Sequence, residues 1–263
     1  MSPRPVLWHI PISHYNEKVR WALDYKRVEH DRKAPMPGAH IGVALWLTRG
    51  RSYTFPVLQL DGRAIGDSTA IIAALEERYP EPALYPSGPE ERRRALELED
   101  WFDEELGPYI RRFVFHELRR DPELFAEVSA ASAPPWALRF PRVGVAYGRA
   151  FTGLRFGAAD DRAAERARER VVAAVDRLEA ELGSNDYLVG GRFTVADLTA
   201  ASLLYPLVLP PEAPRQLQPP ESVERFRELL RHRRGFGWVE EVFRRHRRRA
   251  GREVSDPALA ATA

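Results

Sequence analysis

The apolar positions in the first third of the chain alternate between short runs and helical spacing. Residues 6–10 form an apolar run typical of a buried strand, and apolar residues between 15 and 27 recur at helical spacing. A second short strand is predicted near 28–32, and an irregular stretch follows it. This order of elements is typical of a small α/β domain.

The rest of this domain is predicted to be a β-hairpin followed by a helix. Two apolar runs flank Asp61-Gly62, a two-residue link that favours a tight hairpin turn. Asp67 and Ser68 then supply polar side chains suited to the start of a helix. The domain is therefore expected to cover residues 4–85.

Helical spacing replaces this pattern over residues 89–250, where no strand is predicted. One apolar stripe indicates a long helix, which Gly107-Pro108 is expected to kink. Thr194 and Asp197 have the spacing of a capping box at the start of a later helix. We therefore expect an all-helical second domain.

Two parts of the chain are treated separately from these domains. Residues 129–158 are rich in Ala, Pro, Gly and aromatic residues, and their pattern assigns no element. Residues 251–263 are rich in alanine and are expected to be a disordered tail.

Composition excludes several kinds of site. The 263 residues include no cysteine, so disulfides, thiolate metal sites and a protein thiol nucleophile are excluded. The 7 histidines show no metal-ligand spacing, and we expect no metal. No apolar run reaches the roughly 18 residues that span a bilayer, and no signal-peptide pattern is present. We expect a soluble, cytoplasmic protein without a membrane partner.

Charge adds little evidence for a nucleic-acid partner. The 40 basic and 38 acidic side chains leave a formal net charge of +2. The arginine-rich run 244–249 is of a kind that binds nucleic acid in other proteins. Because no nucleic-acid motif accompanies it and acidic residues are interspersed nearly everywhere, we interpret it as a solvated helix end or the rim of a dimer.

The loop between the first strand and the first helix offers hydroxyl groups to an anion. Ser13 and Tyr15 lie where the positive end of the helix dipole would also favour negative charge. Ser13 is equally suited to cap the helix, and His14 and Tyr15 are more typical of wall residues than of bases. The residues alone leave both hydroxyl groups as candidate donors.

Two further segments suit an extended peptide ligand. A cis Phe55-Pro56 bond at the start of the hairpin would leave the backbone N–H and C=O of Phe55 available for peptide pairing. At the next helix start, Ser68 would hold a carboxylate and Asp67 would pair with an ammonium group.

Together these residues resemble motifs of the glutathione transferase superfamily, and the likeness covers nearly the whole chain. It implies a thioredoxin-like N-terminal domain followed by an all-helical C-terminal domain. Four motifs carry it in the family's order: Ser13 with Lys18-Val19-Arg20, Phe55-Pro56-Val57-Leu58, Asp67-Ser68-x-Ala70-Ile71, and Gly191-x-x-Phe193-Thr194-Val195-Ala196-Asp197.

The resemblance implies that glutathione, as a co-substrate, binds the N-terminal domain and that its thiolate attacks a small hydrophobic electrophile. Lowering a thiol pKa of about 8.5 by two units needs about 2.7 kcal/mol. A hydroxyl donor supplies about 1.5–3 kcal/mol and a helix terminus about 0.3–1 kcal/mol. The resemblance implies that Ser13 is that donor, as in the serine-type classes, with Tyr15 as the alternative because the family also uses tyrosine. Phe55, Asp67 and Ser68 would hold the peptide.

The resemblance also implies a second-substrate pocket and a homodimer. Four residues of the long helix lie in the region that borders this pocket in relatives, although Tyr109 and Phe113 also suit core packing: Tyr109, Arg112, Phe113 and His116. The dimer is expected to form through the helix after Asp67 and the helix after Pro89.

Departures from the family pattern keep two alternatives open. Residues 50–56 lack the family's usual Asn-Pro-x-Gly-x-Val-Pro sequence, and Arg49 or Arg51 would have to bind the glycyl carboxylate without a matching motif. One alternative is a non-catalytic binding or scaffold protein with the same fold. The other is an enzyme that uses a different low-molecular-weight thiol.

Overall fold

The computed structural model describes residues 4–35, 39–130, 137, 139–214, 218–248 and 252–253. The chain divides into two compact units. The first unit contains the described residues up to 84, together with 247–248 and 252–253, and the second contains those from 85 to 246.

The first unit is built on a five-stranded sheet with the order β4-β3-β1-β2-β5. β1 pairs with β2 in parallel and with β3 antiparallel, and β3 and β4 form the predicted hairpin. The strands are β1 Val6–Trp8, β2 Asp31–Lys33, β3 Val57–Leu60, β4 Arg63–Gly66 and β5 Arg252–Glu253.

Three helices complete this unit: α1 His14–Tyr25, α2 Ala39–Thr48 and α3 Ser68–Arg78. Fully buried apolar side chains from the sheet and from α1 and α3 form the core, among them Leu7, Leu58 and Ile71. α2 occupies the stretch that the sequence pattern left irregular. Its sequence is apolar around most of the helix and therefore shows no helical period, and the structure leaves Leu45 and Trp46 exposed.

The second unit is all-helical in its described residues, as predicted. Its helices are α4 Pro89–Glu105, α5 Gly107–Arg120, α6 Pro122–Ala130, α7 Pro141–Phe156, α8 Asp161–Leu182, α9 Val195–Val208, α10 Glu221–Leu230 and α11 Arg234–His246. The expected kink at Gly107-Pro108 is a break between α4 and α5, since Pro108 has no N–H to continue the ladder. α7 lies in the stretch that the pattern left unassigned.

The predicted capping box opens α9, a helix whose side chains are almost all buried. The Thr194 backbone N–H and hydroxyl donate to Asp197 Oδ2 at 2.8 and 2.9 Å, and the Leu188 N–H donates to Oδ1 at 2.8 Å. Burial raises the pKa of Asp197 to about 7, against the lowering effect of these donors. One side chain thus satisfies three buried donors at the start of α9.

The C-terminal segment differs from the predicted division of the chain. Arg247 and Arg248 group with the first unit, whereas the helical domain was expected to reach residue 250. Within the expected tail, Arg252–Glu253 forms β5, which pairs in parallel with β2. Residues 254–263 lie outside the described residues.

Candidate active site

Ser13 is the N-cap residue of α1 and is half-buried. Its Oγ accepts hydrogen bonds from the backbone N–H of Asn16 at 3.4 Å and from Asn16 Nδ2 at 2.7 Å. Both contacts use oxygen lone pairs, and no acceptor for the Ser13 hydroxyl proton lies among the described residues. Ser13 therefore caps the helix and still has its proton to donate.

Asn16 connects this loop to the segment that contains the proline. It is fully buried, its Oδ1 accepts from the Ile10 N–H at 3.0 Å, and its Nδ2 also donates to the Phe55 carbonyl oxygen at 3.3 Å. Sequence reasoning assigned Asn16 no role. The available sequence signal was an asparagine three residues after Ser13, in the first turn of the predicted helix, and the structure shows that ten of the 12 residues of this helix are buried.

The Phe55-Pro56 peptide bond is cis, as the sequence predicts. Phe55 is buried, and its ring lies 6.5 Å from Trp8 and 6.1 Å from His40, measured between centroids. Its N–H has no hydrogen-bond partner within the described part of the chain. Its carbonyl differs from the expectation, because Asn16 already occupies one of its two lone pairs.

Asp67 and Ser68 lie at the start of α3. The Asp67 carboxylate is exposed and accepts from the Ala70 N–H at 3.0 Å, at a backbone φ of 73° that is uncommon for a residue other than glycine. Ser68 is buried, and its hydroxyl has no hydrogen-bond partner among the described residues. Next to them, Thr69 Oγ1 accepts from the buried Lys18 Nζ at 3.2 Å. That contact joins the start of α3 to α1.

Arg20 holds the loop that carries Ser13. This buried guanidinium donates to three carbonyl oxygens of the loop: Ile10 at 3.3 Å, Pro11 at 3.1 Å and Ser13 at 3.4 Å. It also donates from Nε to Glu17 Oε2 at 2.7 Å. Because one rigid, planar group makes all these contacts, its orientation determines the position of the loop.

Glu17 and Asp24, both buried in α1, continue this arrangement. Arg247 donates from Nε to Glu17 Oε1 at 2.5 Å and from Nη1 to Asp24 Oδ2 at 2.8 Å. Arg32 donates to both oxygens of Asp24 at 2.8 Å. Burial alone would raise the pKa of Glu17, but Arg247 and Arg20 hold it below its usual value. We call these five side chains the buried ion cluster: Arg20, Glu17, Arg247, Asp24 and Arg32.

Two buried histidines border this cluster in their neutral form. Burial, reinforced by the charge of Arg20, lowers the pKa of His9 to about 2, and its Nδ1 accepts from Arg20 Nη1 at 2.9 Å. Burial also lowers the pKa of His30, whose Nε2 accepts from Arg32 Nε at 3.0 Å. The cluster therefore carries three positive and two negative charges.

His14 and Tyr15 follow Ser13 directly in the first turn of α1. His14 is buried, and its ring centroid lies 4.6 Å from that of half-buried Tyr15, whose hydroxyl stays the alternative donor.

Among the described residues, no group of three or more histidine or acidic side chains is placed to hold a metal ion. None of the described helices is long and apolar enough to cross a membrane.

The four residues expected near a second substrate all lie on α5 of the second unit. The Phe113 ring packs edge-on against Phe226 with centroids 4.9 Å apart, while Tyr109 lies beside Arg112. Arg112 Nε donates to the Phe156 carbonyl at 2.8 Å, and His116 Nδ1 lies 3.1 Å from the Ala158 carbonyl oxygen. These contacts are internal to the helical unit, and a role in substrate binding stays a prediction.

Comparison with known families assigns both units. The glutathione S-transferase N-terminal domain matches residues 7–83, and the glutathione S-transferase C-terminal domain matches residues 161–245. A thioredoxin-like sheet with a cis-proline beside a helix N-terminus, followed by an all-helical unit, is the architecture of this class. The chain belongs to the glutathione transferase superfamily.

Two relatives of this chain have names that indicate different roles. FtsZ-localized protein A of Caulobacter vibrioides is 26% identical over 214 residues, which are 78% of this chain and 77% of the relative. Probable maleylacetoacetate isomerase 1 of Drosophila melanogaster is 28% identical over 135 residues, 47% of this chain and 52% of the relative.

A solved structure confirms the fold at low identity. The theta class glutathione S-transferase from Xanthomonas axonopodis pv. citri, with glutathione bound, superimposes with a TM-score of 0.57 at 22% identity. The match covers 89% of this chain and 95% of that one.

Proposed function

We propose that this protein binds glutathione in its N-terminal unit and conjugates the glutathione thiolate to a small apolar electrophile. The observation that carries the proposal is the Ser13 hydroxyl, which is oriented by Asn16 and has a proton left to donate. An anion placed there would also meet the positive end of the α1 dipole. A hydroxyl donor and a helix terminus are together sufficient to lower a thiol pKa by about two units.

The peptide would be held by the two neighbouring segments. The Phe55 N–H, which has no partner within the described residues, would pair with the ligand backbone beside Pro56. The Ser68 hydroxyl and the α3 N-terminus would bind the γ-glutamyl carboxylate, and the exposed Asp67 carboxylate would pair with its ammonium group. Solved structures of the same fold with glutathione bound support the choice of glutathione as the ligand.

The thiol pKa of bound glutathione, measured by the pH dependence of thiolate absorbance, tests the role of Ser13. We expect Ser13→Ala to raise that pKa by about one to two units, because one donor to the anion is lost. Ser68→Ala is the matched control. It should weaken glutathione binding and leave the thiol pKa unchanged. An unchanged pKa in Ser13→Ala, together with a raised one in Tyr15→Phe, would transfer the role to Tyr15.

A second candidate is a binding or scaffold protein without catalysis. It is favoured by FtsZ-localized protein A, which aligns over 78% of this chain, and by exposed apolar side chains on and near α2. Leu45, Trp46 and Tyr53 are 39%, 77% and 57% exposed, and such patches mark interaction surfaces. Glutathione at 100 times its Kd should stabilise an enzyme of this type by about 2.7 kcal/mol. A melting temperature that responds neither to glutathione nor to other small thiols would favour the scaffold.

The homodimer is also a proposal. It would form through α3 and α4, the two helices that the family resemblance indicates. Sedimentation of the purified full-length chain tests it, since a monomer at all concentrations would contradict the expectation.

A further inference from the structure

The buried ion cluster places one residue of the C-terminal segment next to the helix that begins at Ser13. Arg247 and Glu17 are separated by 230 residues in sequence, yet their side chains are in direct contact and almost fully buried. Arg20, the other partner of Glu17, donates to the Ser13 carbonyl oxygen in the loop before α1. A line of contacts therefore runs from Arg247 to Ser13.

We propose that Arg247 is a positioning residue for Ser13: it holds Glu17, and Glu17 holds the Arg20 guanidinium under the loop. This inference rests on the proposed function at Ser13, and it assigns to the C-terminal segment a part in that site. It does not require Arg247 to touch the ligand.

The two oxygens of the Glu17 carboxylate bind two different arginines. Oε2 accepts from Arg20 Nε and Oε1 accepts from Arg247 Nε, so each oxygen serves one guanidinium. A carboxylate that faces a single arginine favours two parallel hydrogen bonds with it. Without Arg247, Glu17 would be free to engage Arg20 through both oxygens.

Such a bidentate pair would draw a second guanidinium nitrogen away from the loop. Arg20 Nη2 now donates to the carbonyl oxygens of Pro11 and Ser13, at 3.1 and 3.4 Å. If one N–H of Nη2 turned to Glu17, one of the two carbonyl oxygens would lose its donor, and the backbone that carries the Ser13 side chain would shift. Arg247 prevents this by occupying Oε1.

The net charge of the buried ion cluster also favours a thiolate at Ser13. With His9 and His30 neutral, the buried ion cluster has a net charge of +1, from three arginines and two carboxylates. Removing the charge of Arg247 would leave two neutral pairs. A positive excess beneath the loop favours a negative charge at Ser13.

Four full-length proteins test the inference: wild type, Arg247→Gln, Arg247→Lys and Arg248→Gln. Arg247→Gln removes the charge and the bridge, whereas Arg247→Lys keeps the charge but has no fork to reach both carboxylates. Arg248 is exposed and offers Arg247 only its backbone carbonyl, so its substitution is the matched control. The measurements are the thiol pKa and the Kd of bound glutathione, well below the melting temperature.

We expect Arg247→Gln to raise the thiol pKa by about 0.5–1 unit, less than the roughly 1–3 units that a charge in direct contact produces. Its Kd for glutathione should change less than about twofold, because no ligand contact is lost. Arg247→Lys should give an intermediate pKa, and Arg248→Gln should match wild type. A general loss of stability would not produce this order of pKa values.

The inference and the proposed function can fail separately. If Ser13→Ala raises the thiol pKa but folded Arg247→Gln does not, the proposed function holds and the role of Arg247 is refuted. If wild type does not bind glutathione, the proposed function fails, and amide hydrogen exchange at Ser13 and Asn16 decides the positioning role. Exchange must then be faster in Arg247→Gln than in Arg248→Gln. If Arg247→Gln does not fold, the comparison of Arg247→Lys with Arg248→Gln decides in the same way.

Discussion

The arginine-rich run at the end of α11 contains two kinds of arginine that differ completely in environment. Arg244 and Arg245 are exposed and pair with Glu241, three and four residues earlier on the same helix. Arg247 is 1% exposed and pairs with two buried carboxylates of α1. Exposed pairs within one helix gain little from their charges, whereas a buried charge depends on every partner it has.

The same contrast separates the two units. Within the helical unit, several ion pairs join exposed side chains three or four residues apart, such as Arg93 with Glu97 and Arg231 with Glu228. In the first unit, the ion cluster is buried and joins segments at opposite ends of the sequence. The arginines of these exposed pairs therefore face solvent, whereas the arginines of the buried ion cluster connect distant segments of the first unit.

The largest effect should come from removing the buried arginine. Arg247→Ala removes one guanidinium partner from each of the buried carboxylates Glu17 and Asp24, at a cost of about 3–5 kcal/mol of unfolding free energy. Arg244→Ala is the control at an exposed position and should leave stability close to wild type. Thermal unfolding of the two variants, followed by circular dichroism, checks the difference. Equal melting temperatures would contradict the prediction that the buried arginine contributes more to stability than the exposed one.

A buried carboxylate in the second unit should come next in size. Asp197→Ala leaves the N–H groups of Leu188 and Thr194 and the Thr194 hydroxyl without their acceptor, at a cost of about 2–3 kcal/mol. Asp160 caps α8 at an exposed position through the Ala163 N–H, and Asp160→Ala should have a much smaller effect, since water replaces the lost acceptor. Urea unfolding compares the two caps. A larger loss for Asp160→Ala would contradict the importance of burial.

Sequence patterns predicted the elements whose local chemistry is strong. The Asp61-Gly62 hairpin and the α9 capping box are confirmed, because turn and cap residues act over a few positions. α2 was not predicted, because its apolar side chains do not follow one face. β5 was not predicted either, because it forms only by pairing with β2, far away in sequence.

The candidate site was predictable in its parts but not in its connections. Ser13, Phe55 and Ser68 carry recognisable local signals, and the cis bond at Pro56 is confirmed. The buried ion cluster has no such signal, since Glu17 and Arg20 alone would suit any solvent-facing helix. Arg247, which contacts Glu17 in the folded protein, stands in the sequence as one of several arginines in a basic run.

The smallest of the expected effects concerns pH, and it distinguishes the buried cluster from exposed charges. Folding lowers the pKa of His9 from 6.5 to about 2. Below pH 6.5 the unfolded chain binds a proton at His9 that the folded chain does not bind. The free energy of unfolding therefore keeps its full value above pH 6.5 and decreases as the pH falls below it. Each such histidine contributes a slope of up to about 1.4 kcal/mol per pH unit. His30, whose pKa is also lowered, acts in the same direction.

His9→Asn should remove one of these contributions and keep the contact with Arg20, because an asparagine oxygen can accept the hydrogen bond that Nδ1 accepts now. The melting temperature of this variant should therefore fall less than that of wild type between pH 6.5 and 5. His232 is exposed on the second unit, and His232→Asn is the matched control, since it removes an imidazole that the fold does not bury. If the melting temperatures of both variants fall in parallel with that of wild type, His9 is not held neutral. The net charge of +1 near the Ser13 loop, which was counted with a neutral His9, would then be wrong.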